Sequence, residues 1–570
     1  MESKKHKLAL RDECSNKLTS YFSSDSNEAH YKLALAEGVF AFHTINHNQS
    51  FRSMNCTSKL IQKLFNKEFS CARTKTESII TKVFAPYAGF HLQNELNSVG
   101  CVTIFSDASN HKDIKLFPTL VRFFLPTEGV KIRILDLSSL PCETAEVIFQ
   151  HLKHVIIKKD IQNKVVAYCA DNVNTNFGGK YRNGTNNVFS KLNDFLLQKI
   201  FGVGCGSHIV HNTMQTSADL LPIDIEQIII KIYGHFHIYT VRVNTLAEFC
   251  NATDVEYQKL LGYSKTRWLA LLPAIERVLR LFNPLKDYFQ SIKKCPTVIK
   301  TFFENDLSEI WLLFLHNQAS LFEETIRKIE GDNVSAVEVF NEISSLKYKC
   351  DERLKCSFVP IVIKAKIKKH VEDGKVEMQW FLKEINAFYL NCIEYLSDRI
   401  WFFADLEKFD WLSLRREIDY NEIIPSFEFV CNNMPNIVIA ESHLFDEFSY
   451  VKKFVSNNYE MWNEMSISTE ERWVYIFTDF TKKNIPFKNI LKLVEYGLCL
   501  PGTNAPTERV FSKVNDYWSC DKTQLNVATL EAVLNVLINL TNSCETFHKM
   551  IANDTNLLKK IVSNEKYDLK

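Results

Sequence analysis

Two short apolar runs each end in a lone carboxylate. Cys101-Val102-Thr103-Ile104-Phe105-Ser106 leads into Asp107, and Lys164-Val165-Val166-Ala167-Tyr168-Cys169-Ala170 leads into Asp171. Small and polar residues follow both acids: Ala108, Ser109 and Asn110 after the first, Asn172 and Asn174 after the second. Runs of this kind predict buried strands, each delivering one acid to its C-terminal end. Two acids at one rim of a sheet can hold divalent cations, which favour oxygen ligands and assist displacement at phosphorus. Taken singly, each Asp reads better as a cap for the following turn or helix. The pair points instead to a site.

Other residues with chemical potential are weaker signals. Cys205 and His208 lie three apart, with His211 one helical turn further on. Two donors are too few for a closed zinc site, and no structural zinc is expected even with His211 counted. Gly178-Gly179-Lys180 to Gly184 forms a glycine-rich loop before a predicted helix, but it lacks Gly-Lys-Ser/Thr, so no nucleotide cofactor is expected. It instead offers Lys180 and Arg182 to a polyanion. Lys59, Lys63, Lys67, Arg73, Lys75 and Lys82 outnumber Glu68 and Glu77 in the most basic local run. That run suits either phosphate contacts or an ordinary solvated helix face.

The whole chain bounds these readings. It has 570 residues, 46% hydrophobic and 24% charged, enough for several domains. A net charge of +1 gives no global field for nucleic acid, so any such binding must be local. Sixteen cysteines without a CxxC framework suggest reduced thiols, and neither a signal segment nor a membrane-spanning run is evident.

Several elements must position the acids. Strands are expected at Leu120–Leu125, Val130–Leu137, Val165–Ala170 and Gly202–Cys205, with helices over Glu143–Lys158 and Asn187–Ile200. The resulting order β-β-β-α-β-α-β fits an RNase H-like mixed sheet. Residues 1–27 read as a flexible polar tail, 28–95 as helical and 96–211 as the first part of this core. Residues 212–498 read as an all-helical insertion, with helices over Ile223–Phe249, Trp268–Ile292, Thr301–Ile329, Val334–Tyr348 and Glu377–Asp398. Residues 499–545 return to the core and end in an apolar helix, and 546–570 read as a polar, frayed tail. Leu525, Val527, Leu530, Val533, Leu534, Val536, Leu537 and Leu540 offer more apolar surface than one helix face buries, which predicts self-association.

Five motifs occur in order: Phe105-Ser106-Asp107, Cys169-Ala170-Asp171-Asn172, Cys205-Gly206-Ser207-His208, Thr266-Arg267-Trp268 and Thr507-Glu508-Arg509-Val510-Phe511-Ser512. The series resembles hAT-superfamily DNA transposases and host proteins derived from them, over roughly Glu28 to Leu540. The resemblance implies an RNase H-like α/β core plus all-α regions, with a helical C-terminal dimerisation region. It implies Asp107, Asp171 and Glu508 as a catalytic triad holding two Mg²⁺ or Mn²⁺ ions for DNA cleavage and strand transfer. Cys205 and His208 would shape the centre or contact DNA, Arg267 would meet phosphate, and Trp268 would stack on a flipped base. Without the family, Trp268 reads as a core anchor, and Glu508 as a helix N-terminal acid with Thr507 as its cap. The family's N-terminal zinc finger is absent, apart from a possible tail at Ser3–Lys7. The resemblance implies DNA and a second copy of itself as partners, and the reduced thiols point to the nucleus or the cytoplasm. The alternative is a domesticated protein of the same fold that contacts DNA or chromatin without cutting.

Overall fold

The computed structural model describes residues 29–111, 113–262, 268–331, 333–519, 525–540 and 543–567. The tail over 1–27, its Ser3–Lys7 motif and Arg267 lie outside the described residues. The chain is mostly helical, with one small mixed sheet of six strands. No single described helix is long and apolar enough to cross a membrane.

The strands are β1 (Val102–Ser106), β2 (Ser109–His111), β3 (Ile114–Leu125), β4 (Gly129–Ser139), β5 (Val165–Ala170) and β6 (Phe201–Gly204). β3 pairs antiparallel with β4, β2 and β1, while β1–β5 and β5–β6 are parallel. Hydrophobic runs form the central strands because both faces are covered, as parallel strands require. On one face Val102, Ile104, Val121, Tyr168 and Ala170 meet Ile148, Leu152 and Val188 of two helices, Ala145–Lys158 and Val188–Phe195. On the other, Phe105, Leu120, Cys169 and Val203 join a large core with Ile209, Met214, Leu493 and Leu498.

The expected β-hairpin is present but longer, and β2 was not anticipated. β2 is three residues without an apolar pattern, so no periodicity reveals it. The helix expected over Asn187–Ile200 stops at Phe195, and Ile200's amide instead donates to Asn193 Oδ1 at 3.0 Å. All named elements from Gly206 onward are helical. Ser308–Ile329, Ala336–Lys355 and Met378–Ile400 lie close to the helices expected there. The chain meets the sheet again at Lys488–Cys499, where Arg122 Nε donates to the Leu498 carbonyl at 3.0 Å.

The C-terminal segment departs most from expectation. Residues 544–567 are not a frayed tail: helices Cys544–Ala552 and Thr555–Val562 bury Phe547, Ile551, Leu557, Leu558 and Ile561. They share a core with the N-terminal helices, and the Phe547 ring stacks on Phe42 with centroids 4.0 Å apart. The apolar surface proposed for self-association is also used internally. Leu530, Val533, Leu534, Val536 and Leu540 are buried, and Leu525, Val527 and Leu537 pack against the cores. Self-association therefore lacks the surplus surface from which it was inferred.

The helix Val527–Asn539 covers β4, an edge strand, and its Asn539 acts as a surrogate neighbour. Asn539 Oδ1 accepts from Ile134 N–H and Asn539 Nδ2 donates to Ile134 C=O, both at 2.9 Å. One carboxamide thus satisfies both outward backbone groups of an edge residue. Asn539→Ala should lower stability by about 1–3 kcal/mol, since it strands two buried polar groups. Chemical denaturation would measure this, and an unchanged midpoint would show that Asn539 is dispensable as an edge cap.

Candidate functional site

The register of the parallel strands places the acids together. Phe105 pairs with Cys169, so Asp107 and Asp171 each stand two residues beyond a matched pair. Ala170 pairs with Gly204, so Asp171 and Cys205 are the next residues on β5 and β6. One rim therefore carries Asp107, Asp171 and Cys205 in a row. Cys205 also precedes the helix Gly206–Ala218, whose first turn presents His208.

His208 Nδ1 lies 3.1 Å from Asp171 Oδ1. The sulfur of Cys205, a nitrogen of His208 and an oxygen of Asp171 all lie within 4.8 Å of one another, a set able to hold a metal ion. Asp107 Oδ1 accepts the Ala108 amide at 2.8 Å. Burial, then the neighbouring Asp171 charge, pushes the Asp107 carboxyl up to about 7, against the pull of the Ala108 amide and His208. Glu143, which sequence reasoning did not single out, adds to the rise. Burial works against a charged His208, yet Cys205 and Asp171 outweigh it and the imidazole is pushed up.

Glu508 is half-buried in the first turn of the helix Ala505–Tyr517. Asn504, missed from the sequence, fixes where that helix starts. Its Nδ2 donates to the Ser106 carbonyl at 3.2 Å, one residue before Asp107, and its amide donates to Cys205 Sγ at 3.2 Å. Asn504, not Thr507, is the helix's N-cap residue; the Thr507 hydroxyl donates to the Asn504 carbonyl at 2.6 Å. Two glycines permit this approach. Gly206 N–H donates to Gly502 C=O at 2.9 Å, and a Cβ on Gly206 would stand 2.8 Å from that oxygen. A Cβ on Gly502 would stand 2.1 Å from Val339 Cγ2. The fold thus brings the start of Glu508's helix to the rim that carries Asp107 and Asp171.

The other expected contacts are engaged within the chain. Lys180 pairs with Asp398. The Arg182 guanidinium lies 4.3 Å from the Phe177 ring centroid and 3.7 Å from that of Phe402, and donates to the Gly202 carbonyl at 2.5 Å. Trp268 is 3% exposed and sits in the large core, so its ring is a core anchor here and is closed to a base. His211 Nδ1 accepts the Leu269 amide at 3.3 Å, which ties the Trp268 turn to the Cys205–His208 helix. Lys59, Lys63, Lys67, Arg73 and Lys82 are exposed. No family model and no curated protein matches the chain.

The raised Asp107 pKa has a thermodynamic sign. The folded state holds this proton more tightly than the unfolded chain, so stability falls as pH rises from about 4 to about 7. In metal-free protein, Asp107→Asn should therefore gain more than about 1 kcal/mol at pH 8, with the gain vanishing near pH 4. Denaturant midpoints across pH would test it; an equal shift at both ends would mean that titration of Asp107 is not the cause.

Proposed function

We propose that this chain is a metal-dependent DNA strand-cleaving and strand-transferring enzyme of hAT-transposase type, built on an RNase H-like sheet. The observation that carries the reading is the matched register of β1 and β5, which sets Asp107 and Asp171 side by side at one rim. The antiparallel β1–β3–β4 pairs joined to parallel β5 and β6 support the fold assignment. The Asn504 tether supports Glu508 as the third acid, because it joins the start of that helix to the rim across 299 and 398 residues of chain.

The donors suit a divalent cation. Asp171 Oδ1 is enclosed with only the His208 ring beside it, and Asp107 lies in a desolvated, acid-rich setting that a cation would relieve. Asp107, Asp171 and Glu508 would hold Mg²⁺ or Mn²⁺, and bound ions would supply activation of the attacking oxygen and stabilisation of the leaving one. His208 would steady the Asp171 carboxylate. The exposed lysines of the N-terminal helices offer phosphate contacts, and the reading carries DNA as partner and the nucleus as location.

A specific observation favours a second reading, a transposase-derived protein that binds without cutting. Arg182 and Trp268 are occupied by contacts within the chain, so two expected DNA contacts are not presented.

A Mn²⁺-dependent nicking and strand-transfer assay separates the two. The wild type should nick DNA, and Asp107→Asn, Asp171→Asn and Glu508→Gln should each fall to background while DNA binding survives. The three losses should not add, since the acids act as a unit. Binding without nicking by the wild type would establish the second reading.

A further inference from the structure

We infer that Asp171, Cys205 and His208 form a binding site for one zinc-type cation, a donor set that shares Asp171 with the hard ions proposed for the acids and differs from theirs in Cys205 and His208. Donor geometry carries the inference, which holds whether or not the chain cuts DNA. Strand register puts Asp171 and Cys205 next to each other, and one helical turn returns His208 above them. Their donor atoms lie within 4.8 Å of one another, as the ligands of a single ion must.

A second observation points to a missing ligand. Asp171 Oδ1 and His208 Nδ1 are both shut off from solvent and face each other as an ion pair 3.1 Å apart. They approach without the alignment of a donor–acceptor pair. Buried polar atoms are rarely left so, and a shared cation satisfies both at once.

Donor chemistry selects the ion. A sulfur, an imidazole nitrogen and a carboxylate oxygen suit Zn²⁺, whereas Mg²⁺ takes oxygens almost alone. Cys205 stands at a helix N-terminus, and its sulfur accepts the Asn504 amide at 3.2 Å. Three protein ligands leave a fourth tetrahedral position open, as in catalytic rather than structural zinc sites. That position would take water or an anionic oxygen. His211 is not a ligand, because its Nδ1 accepts the Leu269 amide. The ligand that sequence spacing lacks is Asp171, contributed by the neighbouring strand.

Cobalt substitution tests the site without reference to activity. The full chain, prepared without a polyhistidine tag and stripped with chelator, is titrated with Co²⁺. One equivalent should give tetrahedral ligand-field bands and a thiolate-to-cobalt charge-transfer band, displaced by Zn²⁺ and not by excess Mg²⁺. Cys205→Ser should abolish the charge-transfer band. His208→Gln and Asp171→Asn should weaken binding beyond the roughly 10–100-fold expected when only a supporting contact is lost. Asp107→Asn should bind Co²⁺ like the wild type while failing in the nicking assay, which separates this ion from one held by the paired acids. A folded wild type without the bands overturns the inference, as does a charge-transfer band that survives Cys205→Ser. Equal loss in Asp107→Asn would also overturn it, by assigning the ion to the paired acids. If Cys205→Ser does not fold, by circular dichroism, His208→Gln and Asp171→Asn decide.

Discussion

The parallel pairing of β1, β5 and β6 is the constraint on which the site depends. Three strand ends in register form a row, and whatever residue follows each strand inherits a neighbour two places away in space and dozens of residues away in sequence. Backbone hydrogen bonds set this row, so the side chains need not attract one another to meet. Here the two carboxylates repel, while the His208 imidazole attracts them, and all share one desolvated rim with a thiol. The strand ladder holds together two carboxylates that would otherwise separate.

The helical mass supports that arrangement from both directions. The Asn504 side chain and amide bind the start of the last core helix to β1 and to Cys205, and Gly206 and Gly502 let two backbones touch. The Ser335 region adds a second brace, since Ala336 N–H donates to Leu500 C=O at 3.0 Å and Ser335 bridges to Pro501. The helical span is thus more than an attachment to the sheet, because it fixes the loop that aims Glu508.

Part of this was legible in the sequence. Five- and six-residue apolar runs ending in Asp revealed β1 and β5 because both faces are buried and nothing interrupts the pattern. The long helices showed through their periodicity. Other features were hidden for physical reasons. The Asn504 tether depends on a contact across three hundred residues, which no local pattern encodes. Asp171 as a partner of Cys205 and His208 depends on strand register. Trp268 could be read as anchor or as stacking platform, and only its burial separates these. The C-terminal helices looked like a polar tail because Phe547, Ile551, Leu557, Leu558 and Ile561 stand among Lys and Asn, and their value appears only against the N-terminal helices.

That shared core between the two ends has a consequence for biosynthesis. Phe42 and Phe84 leave the ribosome hundreds of residues before Phe547, the ring they pack on. At about 5–20 residues per second, the interval is roughly 25–90 s. For that time the N-terminal helices present an apolar face that no nearby segment can cover. A chain lacking helices Cys544–Ala552 and Thr555–Val562 would leave the N-terminal helices without these core partners. The N-terminal core is therefore completed only once helices Cys544–Ala552 and Thr555–Val562 have been made.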